Sequence, residues 1–144
     1  MSSGKNNKGM NSFKSLTFTT KNGIRVQTKP HFATFNEKHN ASRVKCYLVL
    51  YHHKYKLGNK EGLSLGELHR ASGVSYSYIK TKIAWWCEWG FCDRKVALGN
   101  GKPVFRYSLG ERGKHFLESV VPSEWLQYYI AEIRAFRANN AEEY

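Results

Sequence analysis

Ser77, Lys80, Thr81 and Ala84 carry the most readily named chemistry in this chain. Their spacings of three and four bring them to one side if the segment is helical. A lysine suits the N7 and O6 acceptors of guanine, Ser77 and Thr81 hydroxyls serve bases or phosphates, and Ala84 can meet a thymine methyl. These side chains are short or basic, so the backbone of such a helix can approach base edges in a major groove. Tyr76 stands at the N-terminal tip of the segment. Tyr78, Lys82 and Trp85 point sideways, toward phosphates or other elements. Further along, Arg94, Lys95, Lys102 and Arg106 add positive charge, and Asn100 and Lys102 suit backbone or minor-groove contact.

These residues need a frame, and the stretch from Leu65 to Phe116 supplies one. Leu65, Leu68 and Ala71 are spaced for one helix face. Gly73 can end that helix at positive φ, and Ser75 can cap the next. Ile79, Ile83 and Trp86 then repeat at i, i+4, i+7, the period of a helix with one buried side. At about 100° per residue, the face opposite them is Ser77, Thr81 and Ala84, flanked by Lys80. Gly90 closes the helix. Phe91–Leu98, a Gly99-Asn100-Gly101 turn and Pro103–Leu109 read as a hairpin. Upstream, Val44, Tyr47, Leu48, Tyr51 and Tyr55 form the stripe of a helix over 40–57, started at Asn40 and ended by Gly58-Asn59. Lys60–Ser64 can form a short strand against the hairpin.

Leu65-x-x-Leu68, Ser72-Gly73-Val74-Ser75, Ile79-x-x-x-Ile83-x-x-Trp86 and Glu88-Trp89-Gly90-Phe91-Cys92-Asp93-Arg94 together resemble a winged helix-turn-helix. The run Tyr107-Ser108-Leu109-Gly110-Glu111-Arg112-Gly113-Lys114-His115-Phe116 is similar to the strand-to-helix junction that ends this domain in MarR- and PadR-like regulators. His69 departs from that pattern, where Ala is usual; so do Gly110, in place of a capping Thr, and Trp86, where Leu is commoner. The resemblance covers about the middle half of the chain. It implies an α+β fold with helices at 40–57, 65–72 and 75–89 and a wing at 91–109. It also implies a DNA-binding transcriptional regulator whose recognition helix, 75–89, enters the major groove while a basic wing lies on the backbone.

Charge supports a polyanionic partner. The chain has 144 residues, with 23 Lys and Arg against 11 Asp and Glu, a formal net charge of +12. A balance that basic points first to nucleic acid and next to an acidic membrane surface. On a neutral protein the same lysines would read as a solvated helix face. No apolar run approaches 18 residues, so no membrane span is expected. The N-terminus has no apolar core of a secretory signal. Cytoplasmic, or nucleoid-associated, placement follows. Three cysteines, Cys46, Cys87 and Cys92, are an odd number and read as free thiols rather than a disulfide framework. The Cys87-x-x-x-x-Cys92 spacing is not that of a zinc site. No GxxxxGK loop, HExxH or paired-carboxylate motif occurs, and Asp93 is the only aspartate. No catalytic residues, metal or cofactor are therefore expected.

The ends add to this frame. Residues 1–12 read as a disordered basic tail, a solvated end or an arm that follows DNA. Residues 13–36 read as a hairpin and connector. A Lys21-Asn22-Gly23 loop sets Phe18 opposite Val26 and Thr20 opposite Ile24, collecting Leu16, Phe18, Ile24 and Val26 on one face; a two-residue loop would scatter them. Residues 37–120 form the main domain, with a helix at Glu111–Val120 carrying Phe116 and Leu117. In 121–144, Pro122 breaks that helix and Ser123 starts another, with Trp125, Tyr129, Ile133 and Phe136 in one stripe. This stripe must cover its own domain, on the helix holding Val44 and Tyr51, or its copy in a second subunit. The homodimer is the expectation carried forward. The other reading of the whole is a winged-helix interaction module, or a replication-associated DNA-binding factor, within a larger complex. A small-molecule effector is not specified.

Overall fold

The computed structural model describes residues 17–19, 25–27 and 37–141. The fold is α+β, with helices around one apolar core and two separate antiparallel two-stranded hairpins among the described residues. The expected tail at 1–12 and the connector Pro30–Asn36 lie outside these residues. In the first hairpin, β1 (Thr17–Thr19) pairs with β2 (Arg25–Gln27), and Phe18 faces Val26. That is the register the apolar alternation requires. The Thr20–Ile24 pair and Gly23 lie outside the described residues.

Helix α1 (Glu37–Tyr51) is the centre of the core. It begins three residues before Asn40, so Asn40 lies inside it and does not cap it. Val44 and Tyr47 are buried as their stripe requires, but so are Cys46, Val49 and Leu50. The helix is covered on several sides, by α2 (Leu65–Ser72), β4 (Lys102–Leu109) and α5 (Ser123–Ala141). After Tyr51 the chain widens into a π-helical turn, His52–Lys56, closed by the Leu57 N–H on the His52 carbonyl at 3.0 Å. A wider turn takes the following residues off the α-helical stripe. Tyr55, expected in that stripe, is exposed instead. It packs on the Tyr51 ring at 4.9 Å, with the Lys114 ammonium 5.1 Å from its centre.

Helix α2 starts with a capping box. The Glu67 N–H donates to Ser64 Oγ at 3.2 Å, and the Ser64 N–H donates to Glu67 Oε1 at 2.9 Å. It ends at Gly73, whose φ of 77° closes the turn onto the His69 carbonyl. Ser75 then caps α3 (Tyr76–Glu88), which buries Ile79, Ile83 and Trp86. Thus the turn and the inward face of α3 are as the period of the sequence requires.

Strands β3 (Cys92–Gly99) and β4 form the second hairpin. Its turn is two residues, not three: Asn100 and Gly101 have φ of 54° and 79°, and Gly99 already pairs with Lys102. Two successive positive φ values make the turn that matches strand twist. The strand expected over Lys60–Ser64 shrinks to one bridge, in which Leu63 and Tyr107 exchange backbone bonds of 2.8 Å. Gly62 at φ 82° permits the approach, since a Cβ there would lie 2.7 Å from the Tyr107 carbonyl oxygen.

Helix α4 (Glu111–His115) continues into a second π turn, Phe116–Val120. Arg43 ties α1 to this region. Its guanidinium lies 4.4 Å and 4.2 Å from the Phe91 and Phe116 ring centres, and its Nε donates to Tyr47 Oη at 2.9 Å. Helix α5 returns across α1 and α2, and Lys45 and Glu132 join α1 to it at 3.1 Å. Trp125, Tyr129 and Ile133 are buried within the chain, and the half-buried Phe136 ring packs against Gly73. The ground for a dimer through this stripe is therefore removed. Each such buried side chain contributes about 1.5–3 kcal/mol inside its own domain.

Candidate nucleic-acid interface

The turn at Gly73 and the burial of Ile79, Ile83 and Trp86 set which side of α3 meets solvent. Ser77, Lys80, Thr81 and Ala84 are all exposed there. Thr81 Oγ1 donates to the Ser77 carbonyl at 2.8 Å, so its hydroxyl proton is used within the helix. What Thr81 presents outward is lone pairs and a methyl group. Lys80 and Lys82 are exposed and take no ion pair among the described residues. Tyr76, at the tip, is exposed and meets the His69 ring edge-on at 6.3 Å. His69 is held by its Nδ1, 2.7 Å from the Val74 carbonyl oxygen. Tyr78 turns toward the protein, one of the two sideways directions expected for it. Its ring is half-buried beside Trp86 at 6.1 Å, and burial pushes its phenol pKa up.

The hairpin cations divide by strand alternation, because successive side chains point to opposite faces. Lys95 and Arg106 are cross-strand partners on one face, and both are already engaged. Arg106 donates to the Gly62 carbonyl and to Glu67 Oε1, each at 2.9 Å, and to the Glu61 carbonyl at 3.2 Å. Lys95 Nζ donates to the Lys60 carbonyl at 2.9 Å and lies 3.7 Å from Glu61. These contacts fasten the 60–63 segment to the hairpin. They also hold the Glu67 carboxyl below its ordinary pKa, first through the Ser64 N–H and then through Arg106. At the tip Asn100 and Lys102 are exposed.

Arg94 lies on the other face, its guanidinium 4.4 Å from the centre of the Phe105 ring. That face also exposes Val96, Leu98 and Phe105. At its base Arg94 joins Ala84, Trp85, Glu88 and Asp93 around an open cavity of about 510 Å³. So the structure exposes Ser77, Lys80, Thr81, Ala84 and Lys82 on α3, brings Ala84 and Arg94 to one cavity, sets Asn100 and Lys102 at the hairpin tip, and engages Lys95 and Arg106 with the 60–67 segment.

Two residues on this side were not among the expected contacts. Glu88 is exposed and lies seven residues past Thr81, on the same outward face. Trp89, just past the helix, is the other and is exposed, as is Trp85, which was expected to point sideways. The 3.6-residue period contained the signal for Glu88. Arg112 closes the end of α3 by donating to the Trp89 carbonyl at 2.8 Å.

Elsewhere, an apolar cavity of about 560 Å³ lies between α1 and α5, walled by Leu48, Val49, Leu126 and Ile130, with Lys56 and Arg134 at its margin. Its walls are mainly aliphatic. Cys46 and Cys92 are buried free thiols, and burial pushes the Cys46 pKa up to about 12. Among the described residues no three His, Cys, Asp or Glu side chains gather as a metal ion would need, and no helix is long and apolar enough to cross a membrane. No protein-family model, curated protein or solved structure matches this chain.

Proposed function

We propose that this chain is a winged helix-turn-helix protein that binds double-stranded DNA as a transcriptional regulator. In this reading α1, α2 and α3 are the helical core, α3 is the recognition helix, and the β3–β4 hairpin is the wing. The observation that carries it is the outward face of α3. Ser77, Thr81 and Ala84 leave the backbone accessible, while Lys80 and Lys82 are exposed beside them. A chain of net charge +12 presents this face next to Arg94 and a cationic hairpin tip.

The roles follow from position. Lys80 reads base edges, with Ser77 and Thr81 accepting from base amino groups and Ala84 against a methyl group. Lys82, Arg94, Lys102 and Asn100 hold phosphates or line the minor groove. Lys95 and Arg106 instead keep the wing in place, because Lys95 Nζ and the Nε and Nη2 of Arg106 are already engaged by protein acceptors. Each phosphate held contributes about −0.9 to the slope of log affinity against log salt.

Selection of bound fragments from random duplex DNA tests the reading, followed by titration of the selected site across a salt series. Lys80→Ala is expected to flatten preference at one position, at roughly 1–3 kcal/mol. Lys102→Ala should weaken all sequences alike and lower the salt slope by about 0.9. Thr81→Glu should abolish binding while melting like the parent, since the side chain is exposed. If Thr81→Glu binds as the parent does, α3 is not the recognition helix.

A second reading has its own observation. Val96, Leu98 and Phe105 form an exposed apolar ledge on the hairpin. Such patches mark protein contacts, so the same fold would then serve as an interaction module. Absence of any enriched duplex in the selection favours that module.

A further inference from the structure

Trp85 and Trp89 stand on the solvent side at the C-terminal end of α3, with 66% and 53% of their surface exposed. Exposed apolar groups this large mark binding sites. The two indoles are one helical turn apart, with ring centroids separated by 6.5 Å and planes inclined by 36°. That separation is close to twice the roughly 3.4 Å rise of stacked bases. Seating a further planar ring between them requires the two exposed side chains to rotate until their planes face each other in parallel.

The neighbouring groups suit a nucleobase better than an apolar peptide. The open cavity beside Trp85 has Glu88, Asp93 and Arg94 in its wall. Carboxylates accept hydrogen bonds from exocyclic amino groups, and a guanidinium donates to a phosphate or a base carbonyl. Lys82, exposed on the same helix, supplies a second cation for the strand. A base that is still paired and stacked offers only its edge, so the occupant must be unpaired.

We propose that Trp85 and Trp89 form a stacking clamp for an unpaired base, engaged where a single-stranded tail leaves the duplex held by α3. The proposal rests on the DNA-binding reading above. It adds a structural preference, for tailed or frayed ends over continuous duplex.

The test uses the full chain with two labelled DNAs, a blunt duplex and the same duplex with a short single-stranded tail. The tail is expected to tighten binding by roughly tenfold, as one stacked base does. Trp85→Ala and Trp89→Ala should each remove that gain while leaving blunt-duplex affinity within about twofold, and Trp85→Phe should keep part of it. Only the tailed DNA should quench the exposed indole fluorescence. Both rings are exposed, so the variants should melt like the parent. If blunt duplex binds and the tail adds nothing, the clamp is overturned and the DNA reading stands. Tailed DNA binding without blunt-duplex binding supports the clamp and overturns the groove reading. If neither DNA binds, both fall, and the indoles belong to an apolar protein partner.

Discussion

Replacing Arg106 by alanine separates a structural cation from one proposed to hold phosphate. Read from sequence alone, Arg106 is a wing residue that holds phosphate. In the structure its guanidinium bonds Glu67 Oε1 and the Gly62 carbonyl at 2.9 Å and the Glu61 carbonyl at 3.2 Å. The ion pair is partly solvated, with side chains 25% and 41% exposed, so its own share is about 0–1 kcal/mol. The two carbonyl bonds add about 0.5–1.5 kcal/mol each before water replaces the lost donor. Rehydration of a half-open site leaves a net loss of about 1.5 kcal/mol. For a domain of this size that lowers Tm by roughly 5 °C. Thermal melts by circular dichroism, paired with duplex titrations across salt, read both effects. Arg106→Ala should melt lower and keep the parent's salt slope. Lys102→Ala should melt like the parent and lose about 0.9 of slope. An Arg106→Ala protein with unchanged Tm and a reduced slope would refute the reasoning, because the guanidinium would then be holding phosphate.

Gly113→Ala should destabilise by about 3 kcal/mol, since its Cβ would lie 2.5 Å from Leu109 Cδ1 and closer still to the Phe91 carbonyl oxygen. Gly101→Ala meets open space and should cost only about 1 kcal/mol of positive-φ strain; denaturant titration compares the two, and equal midpoints would contradict the packing of α4 on the hairpin. Acid sensitivity follows from Glu67. Its folded pKa lies below the ordinary 4.5, so the stability it contributes is full above that value and is lost as pH falls through the lower folded pKa. Glu67→Gln should therefore show a shallower fall in Tm below about pH 4.5 than the parent; parallel curves would remove Glu67 as the cause. At about pH 8 a thiol reagent should reach half-buried Cys87 first, and Cys46 and Cys92 only on unfolding, because burial raises both thiols and excludes the reagent. Three equally fast thiols in the folded protein would contradict the core.

The features legible in the chain before folding are local ones. Gly73 and Ser75 are the kinds of residue a left-handed stop and a cap require, and both serve so. The period of Ile79, Ile83 and Trp86 set the inward face of α3, and with it the exposure of Ser77, Lys80, Thr81 and Ala84. Alternation alone selected Phe18 opposite Val26. The Ser64–Glu67 capping box and the outward place of Glu88 were equally legible from spacing, though absent from the expectations drawn. The tertiary structure decided whatever depended on partners distant in the chain. A stripe on α5 needs a cover, but its period does not say whose; the answer, α1 and α2 of the same chain, comes from packing. The same holds for charge. Arg94, Lys95, Lys102 and Arg106 are alike in sequence, yet Arg106 meets carbonyls more than 40 residues away while Lys102 stays exposed. A cation's role is set by which acceptor reaches it first, and for residues far apart in the chain only the folded geometry establishes that distance.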